Sequence, residues 1–170
     1  MSKRALIVGW TLALLGVMNV VAAQALMRND AALLTISFLD VGQGDAIFIE
    51  SPTGRQVLID GGPNRAVLRA LTRVSPWYDR SIDVVIATHP DADHVTGLVD
   101  VLQRYVVSLI VESGVSADTP QAESMLASVA REKTERLTAR RGQIIDLGGG
   151  AFLEILFPDR DPTSMETNTA

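Results

Sequence analysis

Short apolar segments separated by turn residues follow one another from residue 32 onwards. The segments 33–39, 46–50 and 56–60 are apolar, short and bounded by Gly, Pro, Asp and Ser, and they predict three strands. Only a few residues separate them, so we expect a strand meander. Loops with glycines follow the first and third strands, where tight turns need φ > 0. The loop 42–45 has neither the spacing nor the lysine of a phosphate-binding P-loop.

Apolar positions then recur at helical spacing over residues 65–74. The predicted buried stripe consists of Val67, Leu68, Leu71 and Val74. Three arginines lie on the opposite face, at Arg65, Arg69 and Arg73. This spacing is compatible with an ordinary solvated helix face and with a cationic track for a phosphate backbone.

The second half of the chain alternates strands and helices. The predicted elements are a strand at 82–87, a helix at 95–105, a strand at 109–112, a helix from Thr119-Pro120 to about 133, and strands at 143–147 and 152–156. The first of these helices has an apolar stripe of Val95, Leu98, Val99, Leu102 and Tyr105. Residues 159–170 are polar and aperiodic, so we predict a polar tail.

The N-terminal segment has a different pattern. Lys3 and Arg4 precede an uncharged, apolar run at 5–27. We interpret residues 1–28 as a transmembrane anchor or a signal segment. The positive-inside rule then predicts a single-pass membrane protein with its main domain outside the cytoplasm, or a secreted protein if the segment is cleaved.

Composition limits the possible chemistry. The 170 residues suffice for one domain with its own core, and 5% aromatic against 47% hydrophobic residues indicates an aliphatic core. The absence of cysteine excludes disulfides and thiolate metal sites. A net charge of -5 gives no general attraction to nucleic acid, so DNA binding would need a local patch or a bound cation.

Both histidines of the protein lie in residues 88–94, Thr-His-Pro-Asp-Ala-Asp-His, directly after the apolar strand 82–87. In an extended chain His89, Asp91 and Asp93 would point the same way, and His94 would open the next helix. Imidazoles and carboxylates gathered at a strand-to-helix turn predict a site for a divalent metal. The alternative is an ordinary turn in which Asp91 or Asp93 caps the helix.

Together the loops resemble the metallo-β-lactamase superfamily. The resemblance rests on Phe-Leu-Asp-Val-Gly-Gln-Gly-Asp at 38–45, Leu-Ile-Asp-Gly-Gly at 58–62 and the segment 88–94, with Gly-Leu at 97–98. More narrowly, the sequence resembles the extracytoplasmic hydrolase domain of ComEC-type DNA-uptake (competence) proteins. The resemblance implies an α/β fold, the αβ/βα sandwich, over residues 32–158, and a hydrolytic site for one or two divalent ions, Zn²⁺ or Mn²⁺.

The resemblance also implies roles for individual residues. His89 and Asp91 would bind one ion, and Asp93 and His94 the other. Asp93 would also accept a proton as the catalytic residue, and Asp60 would orient a ligand imidazole. The residues expected at the rim are Asp40, Gln43 and Asp45, and Asp40 is equally compatible with a strand cap.

Two departures from the family pattern change these expectations. Asp91 stands where the superfamily usually has a second histidine, and replacing an imidazole by a carboxylate favours ions that prefer oxygen ligands, manganese or magnesium, beside zinc. No histidine follows His94. We therefore expect the domain to be incomplete at its C-terminus, with weak metal affinity and little turnover for residues 1–170 alone.

The predicted function is a phosphodiesterase or nuclease acting on single- or double-stranded DNA during uptake, outside the cytoplasmic membrane. One alternative is a metallohydrolase of another ester, lactam or thioester. Another is a surface domain that has lost its chemistry. The sequence gives no basis for predicting a protein partner.

Overall fold

The computed structural model describes residues 3–29, 33–115, 119–132, 134–162 and 165. The helices are α1 (Lys3–Asn29), α2 (Ala66–Val74), α3 (Ala92–Leu102) and α4 (Pro120–Glu132). The strands are β1 (Thr35–Phe38), β2 (Ile47–Glu50), β3 (Gln56–Ile59), β4 (Ser81–Ala87), β5 (Val106–Glu112), β6 (Glu135–Thr138), β7 (Ile144–Gly148) and β8 (Ala151–Glu154). Most of the predicted polar tail lies outside the described residues.

The chain divides into two compact units, and the first contains α1. Thr11 and Asn19 interrupt its apolar side chains and bond to backbone carbonyls one turn earlier. A membrane span needs about 20 consecutive, predominantly apolar residues. Within the described part of the chain, no helix combines the length and the apolar character that a bilayer crossing requires. The predicted single-pass anchor, and the location derived from it, is therefore wrong.

The second unit is built on a six-stranded sheet in the order β1-β2-β3-β4-β5-β6. Strands β1 to β3 pair antiparallel, as the predicted meander requires. Strands β3 to β6 pair in parallel, because α2, α3 and α4 connect them in turn. Strands β7 and β8 form a separate antiparallel pair. The predicted mixed α/β fold is confirmed.

Alternate strand residues face opposite sides of the sheet, and each side has its own core. On one side Leu58, Val85 and Ile110 pack in a cluster with residues of α2, α3 and α4. On the other side Val57 and Val84 cluster with buried or partly buried residues of β7 and β8. The parallel strands are apolar on both faces because both faces are covered.

Three local predictions need correction. Helix α3 begins at Ala92, three residues earlier than predicted, so Asp93 and His94 lie in its first turn. Val74 is 37% exposed, and Ala70 takes its place in the buried face of α2. Strand β6 was not predicted because its sequence, Glu-Arg-Leu-Thr, is polar and mostly exposed, and pairing with β5 defines it as a strand.

Candidate metal centre

Polar residues follow two neighbouring strands at the same edge of the sheet. Asp60 comes directly after β3, and Thr88 and His89 come directly after β4. The two strands are parallel partners, with Ile59 opposite Ile86, so their carboxyl ends coincide. Ligand sites of parallel sheets form at this edge.

Asp60 is the buried centre of this group, with 2% of its surface exposed. Its Oδ1 accepts the Thr88 backbone N–H at 2.9 Å, and its Oδ2 accepts the Thr88 hydroxyl at 2.6 Å. Oδ2 also lies 2.9 Å from His94 Nδ1. Asp60 has φ +58°, a left-handed conformation that costs about 1–2 kcal/mol in a non-glycine residue. Three hydrogen bonds to its carboxylate offset that cost.

These contacts fix where both imidazoles carry their protons. A carboxylate only accepts, so His94 must hold its proton on Nδ1 to bond Asp60. The single Thr88 hydroxyl hydrogen goes to Asp60, so the Thr88 oxygen accepts from His89 Nδ1 at 3.0 Å. In the neutral form of each imidazole this leaves Nε2 with its lone pair, as metal-ligating histidines require.

The two rings lie close together, with centroids 3.9 Å apart and planes inclined by 48°. Nitrogen atoms of His89 and His94 and an oxygen of Asp60 all lie within 4.8 Å of one another. Asp60 already accepts three hydrogen bonds, so we assign it to orientation rather than to direct ligation. Sequence reasoning gave Thr88 no role, although it precedes His89 at the end of an apolar strand.

The carboxylates of Asp91 and Asp93 lie near the two histidine Nε2 atoms. Asp91 Oδ2 lies 3.6 Å from His89 Nε2, and Asp93 Oδ2 lies 3.9 Å from His94 Nε2. Asp91 occupies the N-cap position of α3, but its side chain makes no capping hydrogen bond. The expectation that Asp93 continues an extended chain is wrong, since α3 has already begun. The helical turn brings its carboxylate beside His94 instead.

Backbone packing holds α3 against the loop after β3. Gly61 N–H donates to the His94 carbonyl at 2.8 Å, and Gly97 N–H donates to the Gly62 carbonyl at 2.9 Å. A Cβ atom on Gly97 would overlap the Gly61 carbonyl oxygen. Glycine at these positions therefore allows the approach that places His94 on Asp60.

The predicted rim residues are all exposed, and their roles remain predictions. Their loop contacts the site through its backbone, because the Asp45 carbonyl accepts Gly62 N–H at 3.0 Å. Asp40 lines a separate cavity of about 290 Å³ with Arg69 and Arg73. Arg65 is paired with Asp100 at 2.8 Å.

The donor set fits a divalent ion. Two imidazole Nε2 lone pairs and the carboxylates of Asp91 and Asp93 combine nitrogen and oxygen donors without thiolates. Such a set suits zinc and, through its carboxylates, manganese. The assignment of these four residues as ligands stays a prediction.

The family model of the metallo-beta-lactamase superfamily matches residues 39–163. The chain belongs to this superfamily. Membership, together with the fold, supports a hydrolase that uses divalent metal.

Solved members of the superfamily share the fold of this chain. MEM-A1, a subclass B3 metallo-beta-lactamase from a soil metagenome library, has a TM-score of 0.50 at 16% identity, covering 72% of this chain and 51% of that one. Rm3 metallo-beta-lactamase also gives 0.50 at 16% identity, covering 75% and 52%. At identities this low, the similarity establishes a shared fold and does not extend to substrate or activity.

A curated relative is ComE operon protein 3 of Bacillus subtilis (strain 168). It is 23% identical over an alignment of 159 positions, and the match covers 79% of this chain. The matched region spans 20% of that relative's length.

Proposed function

We propose that this superfamily member is a metal-dependent phosphodiesterase that acts on DNA in competence-related uptake. The observation that carries the proposal is the pair of imidazoles whose Nδ1 atoms are engaged by Asp60 and Thr88. Their Nε2 lone pairs are thereby presented together beside Asp91 and Asp93. Buried Asp60 and partly buried Thr88 fix this orientation before any ion binds, which is how ligating histidines are held.

His89, Asp91, Asp93 and His94 would hold one or two ions, Zn²⁺ or Mn²⁺. When bound, such an ion supplies Lewis acidity toward phosphate oxygens. Asp60 keeps His94 protonated on Nδ1. Asp93 has 51% of its side chain exposed, so it can accept the proton of an attacking water from the solvent side.

Two features support DNA as the substrate. The motifs at 38–45 and 88–94 resemble those of ComEC-type proteins, and ComE operon protein 3 matches most of this chain. Asp91, in place of a histidine, adds an oxygen donor, and harder ions that prefer oxygen ligands commonly bind phosphates. The acidic chain would then meet DNA through its bound cation.

The test loads the purified protein with Zn²⁺ or Mn²⁺ and follows three substrates: single-stranded DNA, double-stranded DNA and a chromogenic cephalosporin. We expect slow DNA cleavage, in line with the low turnover expected of residues 1–170 alone, that chelation abolishes and that His94→Asn lowers by about 100-fold or more. Asp146→Asn, at an exposed position of β7, is the control and should retain activity. Cleavage of the cephalosporin but not of DNA would replace the proposal with a lactamase. Equal DNA cleavage by His94→Asn would refute the proposed site.

A further inference from the structure

Helix α2 carries only positive charge on its exposed face. Its two arginines, Arg69 and Arg73, are exposed, and the helix contains no acidic residue. Residues four positions apart lie on the same face of a helix, so the two side chains are neighbours. A solvated helix face commonly alternates charges of both signs, and α2 does not. The helix therefore concentrates two positive charges on one face.

Neither of these arginines forms an ion pair with any residue that the structure describes. Arg65, just before the helix, differs because its Nε already donates to Asp100 at 2.8 Å. In a chain of net charge -5, two adjacent guanidiniums without a carboxylate partner form a local positive patch. An acidic protein needs such a patch to bind DNA directly.

Both arginines line a cavity of about 290 Å³, whose opposite wall is the loop 40–42. Asn64 also lines this cavity, and since its Oδ1 accepts the Ala66 N–H at 2.8 Å, its Nδ2 remains as a donor. Of the described residues in the lining, Asp40 alone carries a negative charge, so the two guanidiniums outweigh it. The cavity therefore suits a small anion with several acceptor oxygens, such as a phosphate group.

The cavity and the candidate metal centre meet at the same short loop. Gly42 lines the cavity, and a Cβ atom on Gly44, two residues later, would overlap the Asp93 carbonyl oxygen. Two residues of chain span at most about 7 Å. Asp93 is a predicted metal ligand, so a single DNA strand can reach both the metal centre and the cavity.

We propose that this cavity binds a backbone phosphate of the DNA strand that is cleaved at the metal centre. The inference rests on the proposed function, because it adds a second phosphate contact to the same DNA-cleaving site. Arg69 and Arg73 donate to the phosphate oxygens, and such contacts position a strand without reading its sequence. The two arginines thus supply the positive patch that the acidic chain otherwise lacks.

Binding can be measured without metal or turnover. The 170-residue chain, freed of metal by a chelator, is titrated into a fluorescent single-stranded oligodeoxynucleotide, and anisotropy gives Kd at several salt concentrations. The double variant Arg69→Gln/Arg73→Gln should bind about tenfold more weakly or worse, as for lost hydrogen bonds to a charged group. The slope of log K against log salt should fall by about 0.7, the value for one phosphate contact on a single strand.

The matched control is Arg131→Gln/Arg141→Gln, which removes the same charge at two exposed positions outside the cavity. It should bind the oligonucleotide as the parent does. Glutamine forms helices about as well as arginine, so both double variants should show parental unfolding in urea. Equal losses of binding in the two double variants would show that only net charge matters. That result, parental binding by the cavity variant, or no binding by the parent would each overturn the proposal.

Two further measurements test whether the bound group is a charged phosphate. An oligonucleotide of the same sequence with neutral methylphosphonate linkages should bind the parent and the cavity variant equally weakly. Asp40→Asn removes the negative charge from the lining and should tighten binding of the normal oligonucleotide. A methylphosphonate strand that binds the parent as well as DNA does, or an Asp40→Asn protein that binds no more tightly, would contradict the proposal.

Kinetics separate this inference from the proposed function. With metal bound, the cavity variant should show a KM for the oligonucleotide raised by about tenfold. Its KM for bis(p-nitrophenyl) phosphate, which has only one phosphate, should match the parent's. If the parent hydrolyses neither diester with any metal, the proposed function fails while the anisotropy titrations still decide phosphate binding. If the parent cleaves DNA and the cavity variant has the same KM, the phosphate contact alone fails.

Discussion

His94 Nδ1 lies 2.9 Å from Asp60 Oδ2, although 34 positions separate the two residues along the chain. Asp60 follows the last residue of β3, and His94 lies in the first turn of α3. The contact therefore joins the β3–α2 unit to the β4–α3 unit that follows it. Thr88, directly after β4, donates hydrogen bonds to the same carboxylate. The metal centre therefore depends on how these units pack.

Asp60→Asn should lower metal affinity by about 10–100-fold, the usual effect of losing a group that orients a ligand. The amide can turn its Nδ2 toward His94, which forces the imidazole proton onto Nε2 and removes the ligand lone pair. Titration calorimetry with Zn²⁺ measures the change. Asp146→Asn, which keeps an oxygen for Gly148 N–H, is the control. An Asp60→Asn protein with parental affinity would show that Asp60 does not orient His94.

Thr88→Val should lower both the free energy of unfolding and the metal affinity. Valine keeps the shape but removes the hydroxyl that lies between Asp60 and His89. Leaving buried Asp60 and partly buried His89 each without this hydrogen-bond partner should lower the free energy of unfolding by about 1–3 kcal/mol. Urea denaturation gives this value. Thr88→Ser should restore most of it, and a serine variant as unstable as valine would point to the lost methyl group instead.

Gly97→Ala should destabilise the domain even though alanine favours helices by about 1 kcal/mol. The new Cβ would press on the Gly61 carbonyl and lie 2.9 Å from the Asn64 carbonyl oxygen. Overpacking of this kind costs about 1–3 kcal/mol. Because the strain separates α3 from the loop after β3, Zn²⁺ affinity should fall as well.

Gly16→Ala is the matched control for Gly97→Ala, since a Cβ there meets nothing within 4 Å. It should leave both denaturant unfolding and Zn²⁺ affinity of the domain unchanged. Parental stability in Gly97→Ala would contradict the close approach of the two backbones.

Ser51→Ala should loosen the β7–β8 hairpin without affecting the metal centre. The buried Ser51 hydroxyl donates to the Leu147 carbonyl at 2.9 Å and so ties the turn after β2 to β7. Its loss should cost about 1 kcal/mol. Hydrogen exchange at the amides of residues 144–154 should accelerate, while Zn²⁺ affinity stays constant. Ser108→Ala, exposed on β5, should change neither quantity.

The sequence by itself determined most of the elements and the location of the chemistry. Short apolar runs bounded by turn residues located seven of the eight strands that the described residues form, and helical periodicity located the helices after residue 65, because both patterns reflect which residues of an element are buried. The motif at 88–94 placed both histidines at a strand-to-helix turn. The resemblance to the metallo-β-lactamase superfamily also singled out Asp60, at the end of an apolar strand.

Only the tertiary structure decided how these residues meet. The bonds of Thr88 to Asp60, the close approach of Gly61 and Gly97, and the Glu112–Arg136 pair all join segments distant in sequence. Strand β6 is likewise a product of pairing with β5 rather than of its own polar sequence. Local periodicity encodes the buried face of each element. Contacts between elements depend instead on which faces pack together, and that choice is a property of the whole core.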